Sequence, residues 1–200
     1  MKITRALTGT FIFILALLVI YWVHVNYFKV DVVFYAAIFD GILAAVVAGC
    51  LLWACPFFKP LGEFEKFLLV VIWLITGYGL AISVPTVIDR SLSFYILEKI
   101  QQRGGGIRQD AFERVFTQEY VKEHRLVDVR LTEQMQSGTI MIENGCVLLT
   151  DKGDRIANFG RYYRRNWLPK QRLLMGEYSS DLTDPFREHR SSPGYECSRK

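Results

Sequence analysis

Asp40 is the only charged residue in the run Val32 to Phe57. An acid near the middle of a membrane span costs about 2.5–3.5 kcal/mol on insertion scales, whereas each Leu, Ile, Val or Phe returns about 0.3–0.6. A span this apolar can carry it, and an intramembrane acid is a functional candidate by default. The competing reading is a protonated Asp40 bonded to a hydroxyl such as Tyr78 or Thr76. A second cluster, Asp89-Arg90-Ser91, stands where the third apolar run ends. An acid, a cation and a hydroxyl at that depth suit a lipid phosphate or sugar, or else Asp89 caps a helix and Arg90 anchors to headgroups. The third group is cationic: Arg161, Arg164, Arg165, Lys170 and Arg172, interleaved with Tyr162, Tyr163 and Trp167. Each cation near an anionic leaflet contributes about 1 kcal/mol, so this stretch is expected to contact anionic headgroups or a partner. The alternative packs Ile156, Phe159, Tyr163 and Trp167 on a core, with the Arg residues complementing the helix dipole.

Other chemistry is missing. The sequence holds no Gly-rich phosphate loop followed by Lys-Ser/Thr, no His-Glu-x-x-His, no Gly-x-Ser-x-Gly and no Cys-x-x-Cys. The four cysteines, at 50, 55, 146 and 197, lack paired spacing and read as free thiols. No catalytic residue, cofactor or metal is assigned.

Three apolar runs position these residues. Residues 6–25, 32–57 and 67–88 are each long enough to cross a hydrocarbon core of roughly 30 Å. Trp22, Tyr27 and Phe28 suit an interfacial belt. The second run carries Ala37, Gly41, Ala45 and Gly49 every four residues, a groove where another helix backbone can approach closely. That groove is expected to seat a membrane-protein partner or a second copy. Asp40 lies beside it, in a row with Ala44 and Ala48, and should face protein. The charges conflict over orientation. Lys2, Arg5, Lys59 and Lys66 favour a cytoplasmic N-terminus, whereas Arg90, Lys99, Arg103 and Arg108 favour a cytoplasmic C-terminus.

After residue 88 the pattern changes. Asp89 opens a helix to about Arg103 with Leu92, Tyr95, Ile96 and Ile100 on one face, ended by Gly104-Gly105-Gly106. Asp110 and Glu113 have capping-box spacing for a short second helix bearing Phe112, Val115 and Phe116. A third helix, 120–137, carries Tyr120, Val127, Leu131 and Met135, with His124 on the same face as a core histidine and Gly138 as the stop. Two β-rich segments then flank Asn144-Gly145, which can both take the positive φ of a two-residue hairpin turn. Thr150 is the N-cap of a last helix.

Three helices, a hairpin, then Leu149-Thr150-Asp151-Lys152-Gly153 leading into a helix: residues 89–168 resemble the winged-helix family. The resemblance implies that the third helix and the hairpin, as wing, form the contact surface, toward DNA or toward protein. Lys122, Arg125 and Arg130 are offset by Glu119, Glu123, Asp128 and Glu133, and the wing tip Glu143-Asn144-Gly145 carries no cation, so nucleic acid is disfavoured. Residues 169–200 read as a basic, partly disordered tail, mobile after Leu173-Leu174-Met175 because the chain beyond Gly176 is short of aliphatics.

The expected fold class is mainly α: three transmembrane helices (1–88) followed by a small α+β winged-helix-like domain. The expected function is a non-catalytic integral membrane protein that presents an interaction module at the membrane surface, with anionic lipid and a membrane protein as partners. An accessory subunit of an envelope glycan or lipid-handling complex is one setting. Alternatives are a membrane-bound transcription regulator, and an enzyme acting on a membrane-embedded phosphate or glycosyl lipid through Asp40 or Asp89. The fold analogy, together with Arg90, Lys99, Arg103 and Arg108 following the last span within about 20 residues, places the C-terminal domain in the cytoplasm.

Overall fold

The computed structural model describes residues 2–183 and Pro185. The chain is mainly α and divides into two units, Met1–Tyr120 and Val121–Lys200.

The first unit holds three helices long and apolar enough to cross a membrane: α1 (Lys2–Tyr27), α2 (Val33–Ala54) and α3 (Glu63–Arg90). Leu92–Gln102 forms α4 and Phe112–Arg114 the short α5, which runs into a π-turn over Val115–Tyr120. The middle helix is central because two of its faces are lined by small residues. Ala37, Gly41, Ala45 and Gly49 are all buried, as are Asp40, Ala44 and Ala48. The first row meets α3, where a Cβ on Gly41 would stand 3.3 Å from the Gly77 backbone and one on Gly49 would stand 3.4 Å from Val70. The groove is therefore filled from within the chain. Between α1 and α3, the Phe13 and Trp73 rings stack at 5.4 Å, and Trp73 Nε1 donates to Thr10 Oγ1 at 3.1 Å. Buried indole N–H groups need such a partner, most of all where no water competes.

Local chemistry explains the helix ends. At the entry to α3, Gly62 N–H donates to Glu65 Oε2 at 2.7 Å, and the same carboxylate receives Lys2 Nζ at 3.0 Å. Pro85 cannot donate to the Ala81 carbonyl four residues back. The helix opens into a π-turn over Ile82–Thr86, and Thr86 Oγ1 donates to Ala81 O at 2.7 Å instead. Asp89 falls inside the end of α3; Ser91 caps α4, its side chain accepting from Phe94 N–H at 3.4 Å. The expected Asp89 cap is thus corrected, since the chain turns extended one turn later, at Ser91. The Asp110–Glu113 capping box does not form either, because Asp110 pairs with Arg108.

The second unit contains α6 (Val121–Glu123), α7 (Leu126–Gln136), β1 (Ile140–Glu143), β2 (Cys146–Leu149), α8 (Asp151–Trp167), β3 (Arg172–Leu174) and β4 (Glu177–Ser179). The expected third helix, 120–137, is broken at Arg125, whose φ of 44° is left-handed. The break re-phases the segment. His124 is exposed instead of lying in a core, and Val127 and Met135 are exposed on α7.

The hairpin follows its sequence. Strands β1 and β2 pair antiparallel with Glu143 opposite Cys146, leaving Asn144 and Gly145 as the turn, both at positive φ. Thr150 Oγ1 accepts from Gly153 N–H at 3.1 Å as N-cap of α8, and Thr150 N–H donates to Thr139 O at 3.1 Å, locking the helix start to the base of the hairpin. A Cβ on Gly153 would fall 2.0 Å from Thr139 O, so this junction requires glycine. A second hairpin, β3–β4, turns at Met175 and Gly176, both at positive φ. This hairpin lies within the stretch 169–200 expected to be a partly disordered tail; most of the rest of that stretch lies outside the described residues. Cys50 and Cys55 are free thiols, as expected. Cys146 is disulfide-bonded and corrects that expectation, while Cys197 lies outside the described residues.

Candidate functional site

Helix α1 leads toward one end of the bundle and α2 returns from it, so the last turns of the first helix lie beside the opening turns of the second. This places His24 against Asp40: the imidazole Nδ1 and the Asp40 Oδ1 are 2.6 Å apart. Asp40 is fully buried, and the His24 side chain is 22% exposed. The Phe28 and Phe39 rings stand nearly perpendicular to the His24 ring, at 5.8 and 6.2 Å between centroids. A hydrogen bond this short, in surroundings this apolar, holds both side chains in one geometry.

The intramembrane acid does face protein. Its partner is neither Tyr78 nor Thr76, since Tyr78 is exposed and Thr76 Oγ1 donates to Ile72 O at 2.8 Å. His24 is absent from the candidates read from sequence. The spacing that could have flagged it is geometric: His24 stands near the end of α1 and Asp40 near the start of α2, at similar depth on antiparallel helices. The pair leaves one atom over. Asp40 Oδ2 is buried and finds no hydrogen-bond partner among the described residues.

Asp40 and His24 line a cavity of about 310 Å³ with Val19, Ile20, Val23, Phe28, Phe39 and Leu43. Asp89 lines a different one, about 510 Å³, with Tyr21, Ala37, Val84 and Pro85 among its walls. The two carboxylates thus stand toward the same end of the bundle but open into separate cavities. Asp89 is 3.9 Å from Arg90 Nε, and the Arg90 guanidinium lies over the Phe34 ring at 6.0 Å. Among the described residues, no group of three or more His, Cys, Asp or Glu side chains is placed to hold a metal.

Beyond the spans, buried Lys99 reaches Glu119 Oε2 at 2.6 Å, and Arg103 donates to the same carboxylate at 3.0 Å. The hydrogen bond from Lys99, then that from Arg103, holds the Glu119 carboxyl below its ordinary pKa. The Tyr95 and Tyr120 rings meet at a tilt of 53° beside this cluster, their centroids 4.6 Å apart. The row Leu92, Tyr95, Ile96 and Ile100 foretold the packed Tyr95; it did not foretell that Lys99 would be buried with it.

The cationic stretch divides along α8. Ile156, Phe159, Tyr163 and Trp167 share one face at helical spacing, and all four are exposed, so they do not pack on a core. Phe159–Tyr163 and Tyr163–Trp167 stand 6.0 and 6.5 Å apart, an unbroken aromatic row. Arg161 and Arg165 are exposed away from that row, Arg164 flanks it half-buried, and Lys170 and Arg172 follow in the chain. On α7, Arg125 pairs with Asp128 at 2.8 Å and Arg130 with Glu133 at 2.9 Å, so two of that helix's cations are offset by their own neighbours.

No protein-family model matches this sequence, and neither a curated protein nor a solved structure matches it.

Proposed function

We propose that the protein is a non-catalytic, multi-pass membrane protein whose second unit works at the membrane surface, with α8 as its contact element. The observation that carries this reading is the exposed aromatic row Phe159, Tyr163 and Trp167 on a helix whose other face holds Arg161 and Arg165. Contiguous exposed apolar surface with a basic opposite face is the pattern of a helix that lies in the bilayer interface. The tether favours it further, because a domain held near the bilayer loses little translational entropy on docking. Anionic lipid is the occupant that suits the arginines, at about 1 kcal/mol per cation near the surface.

The winged-helix reading of residues 89–168 belongs to this proposal. The order of helices, hairpin and capped last helix supports it, as does the two-residue wing turn. The paired acids on α7 weigh against DNA as its ligand, which leaves protein or membrane contact.

The orientation we infer reverses the one suggested by fold analogy: N-terminus in the cytoplasm and second unit outside it. Lys2, Arg5, Lys59 and Lys66 support it through the positive-inside bias.

Trypsin tests the contact surface. In nanodiscs rich in phosphatidylglycerol, cleavage after Arg161, Arg164 and Arg165 should be slowed relative to phosphatidylcholine discs, and high salt should reverse the protection. Equal cleavage rates in both lipids would sink the proposal.

A further inference from the structure

We propose that the His24–Asp40 pair is the polar end of a binding site for a membrane-dissolved amphiphile whose head group donates a hydrogen bond, a hydroxyl or an ammonium carried on an aliphatic chain. Three observations converge on this class of ligand. The cavity holding the pair has a volume of about 310 Å³, the lower end of the range for small-molecule sites, and every lining residue other than His24 and Asp40 is apolar. Asp40 is 0% exposed, and its Oδ2 has no hydrogen-bond partner among the described residues. An acceptor without a partner in a water-poor interior leaves a desolvation cost that a donor arriving from the membrane would remove.

The walls and the charge narrow the choice. Val23, Phe28, Phe39 and Leu43 offer contact to a chain, not to a polar body. Among the described residues the cavity offers a fatty-acid carboxylate or a phosphate no lysine or arginine to pair with. A plain alkane would fill the walls and leave Oδ2 as it was. His24 holds Oδ1 at 2.6 Å, and because Oδ2 is itself covered, an incoming donor reaches it by displacing the cavity wall over it. This site is independent of the surface contact assigned to α8, and either can fail without the other.

The test is magnetic resonance of the full chain in nanodiscs, with histidine nitrogens labelled and four twelve-carbon probes added at equal mole fraction: dodecan-1-ol, dodecylammonium, dodecanoate and dodecane. The His24 imidazole signals should move with the alcohol, the ammonium or both, and not with the carboxylate or the alkane; His124, outside the spans, should stay still. Movement with the alcohol alone selects an uncharged donor, and movement with the ammonium alone selects a cation. Asp40→Leu removes the acceptor and should abolish the response. Leu43→Trp narrows the cavity from its wall without touching the pair and should abolish it too, which keeps the test open if Asp40→Leu does not assemble. An unmoved His24 with all four probes, an equal response to all four, or an undiminished response in Leu43→Trp would overturn the site.

Discussion

A Cβ placed on Gly77 would stand 3.1 Å from Gly41 Cα, so α2 and α3 meet backbone to backbone at these two residues. Without a hydrophobic drive between helices in lipid, that close approach and the dispersion contacts it permits are what hold the pair. Gly41→Leu or Gly77→Leu must wedge the helices apart, at a cost of about 1–3 kcal/mol or more. Gly79, two residues on, has nothing within 4 Å of its Cβ position among the described residues and is the control. Unfolding in mixed micelles should show both leucine variants destabilised and Gly79→Leu near wild type. Equal effects at all three positions would refute the contact.

His24 and Asp40 should behave as a unit. Leaving one member of a buried hydrogen-bonded pair unsatisfied costs about 1–3 kcal/mol or more, whereas replacing both with apolar residues of similar shape can be nearly neutral or stabilising. His24→Leu should therefore be strongly destabilising, and His24→Leu with Asp40→Leu should recover most of the loss. Simple additivity of the two single variants would mean that the pair is not coupled.

Glu119 supplies a pH dependence with a definite sign. Its folded pKa is depressed by Lys99 and Arg103, so its contribution is fully present above the ordinary glutamate range, about 4.3. It is lost as pH falls through the folded value. The stability difference between wild type and Glu119→Gln, measured against pH, should shrink on acidification and be flat near neutrality. A difference that grows toward acid would reverse the assignment.

The spans and the first hairpin were legible because each rests on a local rule. Run length gives the helices, and Asn144-Gly145 with Thr150 gives the turn and the cap. Four features escaped for physical reasons. Asp89 and Ser91 are equally good caps in composition, and only the turn in backbone direction selects Ser91. Arg125 takes a left-handed φ that its residue type does not announce, and the apolar row through 120–137 loses its phase there. The small-residue row on α2 announces close packing but not against which helix. His24 carries no motif; it becomes a site residue through the antiparallel return of α2, which a linear pattern does not display.

The orientation has its own test. A reporter active only outside the cytosol, fused after Lys200, should be active, and its cytosolic counterpart silent. Cys146 should react with a maleimide only after reduction, whereas Cys50 and Cys55 should react in the unfolded, unreduced chain. A silent external reporter with a free Cys146 thiol would restore the cytoplasmic placement.

The central claim is that α8 lies against an anionic bilayer through Phe159, Tyr163 and Trp167. The most direct measurement is quenching of tryptophan fluorescence by dibrominated phosphatidylglycerol in nanodiscs carrying the full chain, wild type against Trp167→Phe. The wild-type signal should contain a quenched component that Trp167→Phe lacks and that weakens when the brominated lipid is phosphatidylcholine in discs free of anionic lipid. An unquenched Trp167 in anionic discs, with the span tryptophans quenched as usual, would contradict the account.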